Sequence, residues 1–267
     1  MEQTYQHLAP IYDQLQQGID LPAWADYIQS LETAFSLRQG SGDGQDGRPL
    51  LLDLGCGTGS FCLEMARRGF DPIGIDASAL MLDQARQKAS QAAAESPVKP
   101  LPVLFLQQDI SRFELFGTVD LIVCLLDTIN HLLRPSQVQR LFRLCANYLN
   151  PGGLFIFDLA SRRHLAHTLG NQLFYQDNDH FTLLWQNSYR ATSGISRSEL
   201  TLFSRLADGR YERHDETIVE KYYEPSRIRQ WLQTAGLEAA AHFGELKLKQ
   251  PARSDERHFY IARRPLA

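Results

Sequence analysis

The chain has 267 residues, 43% of them apolar and 22% charged, with a formal charge of −4 and a pI near 6.1. That length allows one large domain or a domain with an insertion, and the apolar share is enough for a core. The acidic balance excludes a dedicated nucleic-acid binder, which carries a basic surplus.

The start, Met1 to His7, lacks the basic and apolar regions of a signal peptide, and no apolar run reaches membrane-spanning length. Four cysteines, at 56, 62, 124 and 145, form no C-x-x-C pair, and Cys124 and Cys145 read as small buried hydrophobes. These features predict a cytoplasmic protein without a metal site.

Helical spacing of Leu8, Ile11, Tyr12 and Leu15 predicts a helix from Thr4 to about Gln17. Asp20 reads as the N-cap of a second, with Pro22 in its first turn and Trp24, Ile28, Leu31 and Phe35 on one face. Four glycines and no apolar residue between Arg38 and Arg48 predict a loop.

Short apolar strands then alternate with helices. Strands are expected at Leu50–Leu54, Pro72–Asp76, Val103–Gln107, Leu121–Leu125 and Leu154–Asp158, with a chain break from Pro97 to Pro102. The intervening helices run from Gly59 to Arg68, from Ser78 as cap to about Ala94, and from Pro135 to about Leu149. Asn150-Pro151-Gly152-Gly153 reads as a turn. The alternation implies an α/β fold, a doubly wound parallel sheet.

From Leu173 to Tyr223 the period is two. Thr182–Thr192, Arg197–Leu206 and Tyr211–Tyr223 read as an inserted antiparallel meander with a hairpin turn at Ala207–Arg210. A helix from Pro225 and strands at Leu237–Phe243 and Arg257–Ala262 close the chain. The basic residues Arg253, Arg257, Arg263 and Arg264 read as a solvated sheet edge, with a binding patch as the alternative.

The chemistry concentrates at Asp53-Leu54-Gly55-Cys56-Gly57-Thr58-Gly59. Glycine tolerates positive φ and lets backbone approach a ligand, and the N–H groups opening the next helix favour an anion. Asp53 stands ready for an ammonium, and Asp76, closing the second strand, for a ribose diol. Gln108-Asp109 follows the third strand, where an adenine amine can be met. The rival, a nicotinamide-dependent oxidoreductase, would carry G-x-G-x-x-G; here the third glycine comes one residue early, and no Tyr-x-x-x-Lys is present nearby.

Together with Leu149-Asn150-Pro151-Gly152-Gly153, these blocks resemble the successive motifs of class I S-adenosylmethionine (SAM)-dependent methyltransferases. The resemblance extends to a bacterial small-molecule branch related in layout to glycine N-methyltransferase. Its marks are Tyr5-x-x-Leu8-Ala9-x-x-Tyr12-Asp13, Asp127-Thr128-Ile129-Asn130-His131, Trp185-Gln186-Asn187, and Glu216 to Tyr223. His131 departs from that pattern, which commonly has Tyr there.

The resemblance implies a seven-stranded Rossmann-like sheet with an antiparallel β insertion after strand 5. Residues 1–160 and 224–267 would form the cofactor domain, capped by helices in 1–38, with 161–223 as a lid. SAM would contact Tyr12, Trp24, Asp53, Gly55, Gly57, Gly59, Asp76, Ala77, Met81, Asp109, Ile110 and Leu125 and leave as S-adenosylhomocysteine. For Tyr12 and Trp24 the alternative is core packing.

Methyl transfer needs a base only where the acceptor must lose a proton. Asp127 and His131, at the carboxyl edge of strand 4, are the candidate catalytic pair, with capping and packing as their alternative. Asn130, Trp185, Tyr189 and His214 are candidate substrate contacts, and Arg190 and Tyr222 are further candidates to line the site; alternate faces of a strand exclude some of them. His164 and His167 have H-x-x-H spacing without a third ligand. The expected function is methyl transfer to an N, O or C nucleophile of a small molecule by a monomer or homodimer. RNA or protein methylation, and a non-catalytic SAM-binding regulator, are the other readings.

Overall fold

A computed structural model describes residues 5–38, 42, 44–95 and 103–266. The expected break at Pro97 to Pro102 and part of the glycine-rich loop lie outside them.

The first predicted helix is mostly absent. A 3-10 turn, Ala9–Ile11, leads into the single helical turn α1 (Tyr12–Leu15). Tyr5 stands at φ 67°, and Pro10, which has no N–H to donate, opens the 3-10 turn, so no continuous helix crosses this stretch. The second helix, α2 (Leu21–Phe35), forms as expected, with Asp20 accepting from the Ala23 N–H at 3.1 Å.

Strands β1 (Leu50–Leu54), β2 (Asp71–Asp76), β3 (Leu104–Gln107), β4 (Val119–Cys124), β5 (Leu149–Ala160), β10 (Glu238–Gly244) and β11 (Arg257–Arg263) form one sheet, ordered β10-β11-β5-β4-β1-β2-β3. β1 to β5 are parallel where they pair, as the alternation implied, while the closing strand β11 runs antiparallel to both β5 and β10. The expected turn at Asn150–Gly153 is a bulge inside β5: it stands opposite the single residue Asp120, with Gly152 at φ 79°. One face of the sheet packs under α5 (Pro135–Tyr148) and α6 (Pro225–Thr234). The other packs under α2 and α3 (Ser60–Arg67), while α4 (Ala79–Glu95) covers Phe105 of β3.

A second, antiparallel sheet follows β5, with order β6 (Leu173–Asp177), β7 (Phe181–Arg190), β8 (Ile195–Arg205), β9 (Tyr211–Lys221). β6 carries no alternating pattern and is exposed along its length, so periodicity gave no signal for it. The inner face of this sheet, through Phe181, Leu183, Leu200 and Leu202, packs on Leu8 and Ile11 of the N-terminal segment. Glu216 of β9 accepts from the Tyr5 N–H at 2.8 Å and from that of His7.

Candidate active site

The glycine turn leaves β1 with Gly55, Gly57 and Gly59 at φ 78°, 54° and 74°. At Gly55 a β-carbon would stand 2.4 Å from Thr128 Cγ2, so this position requires glycine on space as well as conformation. Asp76 closes β2 and accepts from the Gly57 N–H at 2.9 Å and the Ser78 N–H at 2.8 Å. Burial holds its carboxyl above the usual range, against the pull of these backbone donors.

Asp53 is buried, and among the described residues its one side-chain donor is the Cys62 thiol at 3.3 Å. Burial pushes its pKa up to about 7; the Cys62 hydrogen bond opposes the shift and the Asp76 charge adds to it. A cavity of about 330 Å³ opens on this turn, lined by Asp53, Gly55, Gly57, Leu125 and Thr128 on the sheet side and by Tyr12, Asp13 and Gln16 from the N-terminal segment. That segment is latched in place. Lys88 of α4 donates to Asp13 (2.8 Å), Thr58 (2.8 Å) and Ser60 (2.6 Å), and Thr58 donates to Asp13 at 2.6 Å.

The other expected cofactor residues divide. Ala77 follows Asp76 directly and accepts from the Gln107 side chain at 3.2 Å, and Met81 is buried in the first turn of α4. Asp109 folds back on its own turn, accepting from the Ser111 N–H and hydroxyl at 2.8 Å, and Ile110 belongs to the core under α5. Trp24 packs against Phe259 (centroids 5.2 Å apart) beneath the guanidinium of Arg257, away from the cavity lining.

At the end of β4 the backbone is forced. Leu126 and Asp127 stand at φ 56° and 63°, a conformation that costs non-glycine residues free energy. Asp158 holds it, accepting from the N–H of Leu126 (2.7 Å) and Asp127 (3.1 Å). Arg257 of β11 donates to both Asp127 and Asp158. The expected basic surface is therefore absent at Arg257, and Arg263 pairs with Glu238 at 2.7 Å.

His131 ends a 3-10 turn, Thr128–His131. Its Nε2 lies 3.2 Å from the Tyr5 hydroxyl, and its ring also hydrogen-bonds the Val219 backbone. Burial lowers its pKa although Asp127 opposes this, which favours the neutral ring. Asn130 is wholly buried; its amide donates to the Lys221 carbonyl at 2.9 Å and accepts from the Ala160 N–H at 3.0 Å. Both ends are thus committed to tying β9 to β5.

Register places Trp185, Tyr189 and His214 on one face of the second sheet and Arg190 on the other. Trp185 and Tyr189 gather with Tyr222 against Leu165 and Leu169, while His214 stacks on His7 at 3.9 Å, farther along β9. His164 pairs with Glu256, and no cluster suited to a metal occurs among the described residues. Sequence reasoning missed Arg257 and Asp158, whose neighbours carry no motif, and Glu220 of β9, which is buried near Asp127 and Arg257. Burial raises the Glu220 pKa to about 8, helped by the Asp127 charge and opposed by Arg257.

Comparison with known proteins agrees with this geometry. A family profile described as "Methyltransferase domain" matches residues 51–153. Two full-length relatives carry the name "Putative methyltransferase": one from Geobacillus sp. (strain WCH70), 31% identical over 98% of this chain and 100% of its own, and YqeM of Bacillus subtilis, 28% identical over 97% of each. An S-adenosylmethionine-dependent methyltransferase from Clostridium acetobutylicum superposes with a TM-score of 0.82 at 26% identity, covering 98% of this chain and 99% of that one. The chain belongs to the class I SAM-dependent methyltransferases.

The residues present fit that cofactor. Gly57 and Tyr12 both line the cavity, and a β-carbon at Gly57 would meet the Tyr12 ring at 3.7 Å, within van der Waals contact. Asp53, buried with a single weak donor, is suited to an ammonium. No helix among the described residues is long and apolar enough to cross a membrane.

Proposed function

We propose that the chain transfers a methyl group from SAM to an N, O or C nucleophile of a small molecule. The observation that carries this reading is the cavity between the glycine turn and the N-terminal segment, at the carboxyl edge of the sheet where such folds bind ligands. Asp53 would receive the ammonium of the cofactor, Asp76 its ribose, and Gly55 to Gly59 its close backbone contacts; Leu125 and Tyr12 would line its site, with Ala77 and Met81 following Asp76 along the chain outside the cavity lining. When bound, SAM supplies an electrophilic methyl group activated by a positive sulfur.

The protein's own work is then alignment and exclusion of water. Tyr12 and Asp13 close the entrance, kept there by Lys88. Tyr5 and His131 present a hydrogen-bonded phenol and neutral imidazole to the acceptor side. In this reading residues 1–160 and 224–267 hold the cofactor, 1–38 cap it, and 161–223 wall the acceptor site from within a reducing cytoplasm, where four free thiols persist.

The test is release of S-adenosylhomocysteine when purified protein and SAM are offered small amines, alcohols and carbon acids, beside cellular RNA and protein. Release with a small molecule supports the reading. Release with RNA or protein alone, or tight SAM binding without turnover on any of them, overturns it.

A further inference from the structure

Glu220 is the one carboxyl of its cluster with nothing to hold. Asp127 and Asp158 share the guanidinium of Arg257, whereas no hydrogen bond or ion pair among the described residues reaches Glu220, which is 8% exposed. It sits on the inner face of β9, directly across from Ser196 of β8. The Ser196 hydroxyl is buried without a partner, and so is the indole N–H of Trp185 on the same face. Among the described residues Glu220 and Ser196 thus form an unpartnered polar pair directly across β8 and β9, while Trp185 lies farther along the same face, opposite Leu200.

Tyr5 connects this face to the cofactor cavity, its ring 5.8 Å from that of Tyr12, which lines the cavity. The Tyr5 phenol lies within electrostatic reach of Tyr12, Glu220, Asp127 and Asp76, and so links the second sheet to the carboxylate that closes β2. The groups that face Glu220 are Asp127 from the end of β4, Arg257 from β11 and Tyr5 from the N-terminal segment, with His131 hydrogen-bonded to Tyr5. Glu245 Oε1 also stands 3.8 Å from Arg257 Nε, so one guanidinium among four carboxyls leaves the cluster short of positive charge. A buried carboxyl without a donor is costly, and such groups concentrate where a ligand supplies the missing charge.

We propose that Glu220 is the proton acceptor for methyl transfer and that the acceptor is a primary or secondary amine entering as its ammonium ion. This rests on the methyl-transfer reading of the cavity. An ammonium N–H bond breaks and an O–H bond forms on Glu220. The freed nitrogen pair forms the new N–C bond as the methyl–sulfur bond breaks, and that bond's electrons stay on sulfur. The product leaves as an N-methylammonium ion, and Glu220 returns its proton to solvent. Burial and the Asp127 charge tune Glu220 for this, since a base works best with a pKa near the working pH.

The experiment compares wild type, Glu220→Gln and Glu220→Asp on a panel of amino acids, amino sugars and alkylamines, beside matched alcohols and carbon acids. Expected is turnover of amines only. Glu220→Gln should keep its SAM affinity within about twofold while kcat/KM for the amine falls at least about a hundredfold. Its remaining activity should rise with pH toward the pKa of the free amine, a displacement that lost packing alone would not produce. Glu220→Asp, which keeps the charge, should retain the wild-type shape of the profile and controls for folding. Turnover of alcohols or carbon acids but not amines overturns the proposal and leaves methyl transfer standing. So does an unaltered kcat/KM and pH profile in Glu220→Gln. Absence of turnover on the whole panel removes both.

Discussion

Arg257 Nη2 donates to Asp127 Oδ2 at 2.9 Å while Asp127 stands at φ 63°, so a strand near the end of the chain fixes the strained exit of β4. Asp158 completes the arrangement by accepting from the backbone of that exit and from the same guanidinium. Removing the cation leaves two carboxylates together in a buried place. Arg257→Met should cost about 3–5 kcal/mol in urea unfolding, as breaking buried pairs does. A loss under about 1 kcal/mol would mean that the cluster is solvated in solution.

Two glycines separate conformational strain from lack of space. Gly59 (φ 74°) would place a β-carbon 2.7 Å from Phe105 Cζ and 2.8 Å from Ala85 Cβ, whereas Gly209 (φ 85°) has nothing within 4 Å. Alanine at either pays about 1 kcal/mol for left-handed backbone. Gly59→Ala should therefore unfold at distinctly lower urea than Gly209→Ala; equal midpoints would contradict the close packing of the turn on β3 and α4.

Stability should fall as pH rises from about 6.5 to about 8. Asp53 and Glu220 titrate near 4 when unfolded. Burial lifts them to about 7 and about 8 in the fold, so across this window the native state holds more protons and loses stability as they leave. The buried histidines, His131, His242 and His258, are shifted down by burial, so their opposite contribution is complete once pH exceeds the ordinary value near 6.5. Thermal unfolding at half-unit steps checks this. Asp53→Asn should flatten the lower part of the slope, and a flat wild-type profile would contradict both shifts.

Lys88 should matter to ligand more than to fold. Its ammonium joins Asp13 to Thr58 and Ser60 at the cavity mouth, and the pair is partly exposed, worth under about 1 kcal/mol. Lys88→Met should weaken SAM binding severalfold in calorimetry with the melting temperature nearly kept. Unchanged affinity would show that the N-terminal segment does not cover the cofactor.

The proposed cofactor half of the site shows in the sequence because its motif is local: Asp53, three glycines and Asp76 follow one another along the chain. The parallel strands were legible as short apolar runs between amphipathic helices. The antiparallel β11 was not, since strand direction depends on a connection that periodicity does not encode. The proposed acceptor half was hidden for a related reason. Arg257 lies 130 residues from Asp127, and Glu220 is the single buried position of a strand whose other residues are half-buried or exposed. Asn130 and Trp24 were visible as residues, yet only packing reveals that one ties β5 to β9 and the other supports Phe259. The short α1 was overcalled because apolar spacing persists through a segment bent at Tyr5 and Pro10.

Calorimetric titration of SAM into wild type and Asp76→Ala bears most directly on the cavity at the glycine turn. Saturable binding at one site is expected in wild type. The loss of charge-assisted hydrogen bonds, worth about 1.5–3 kcal/mol each, should weaken it at least about tenfold in the variant while the fold persists. Equal affinity in the two proteins, or no binding by wild type, would contradict the assignment of that cavity to the cofactor.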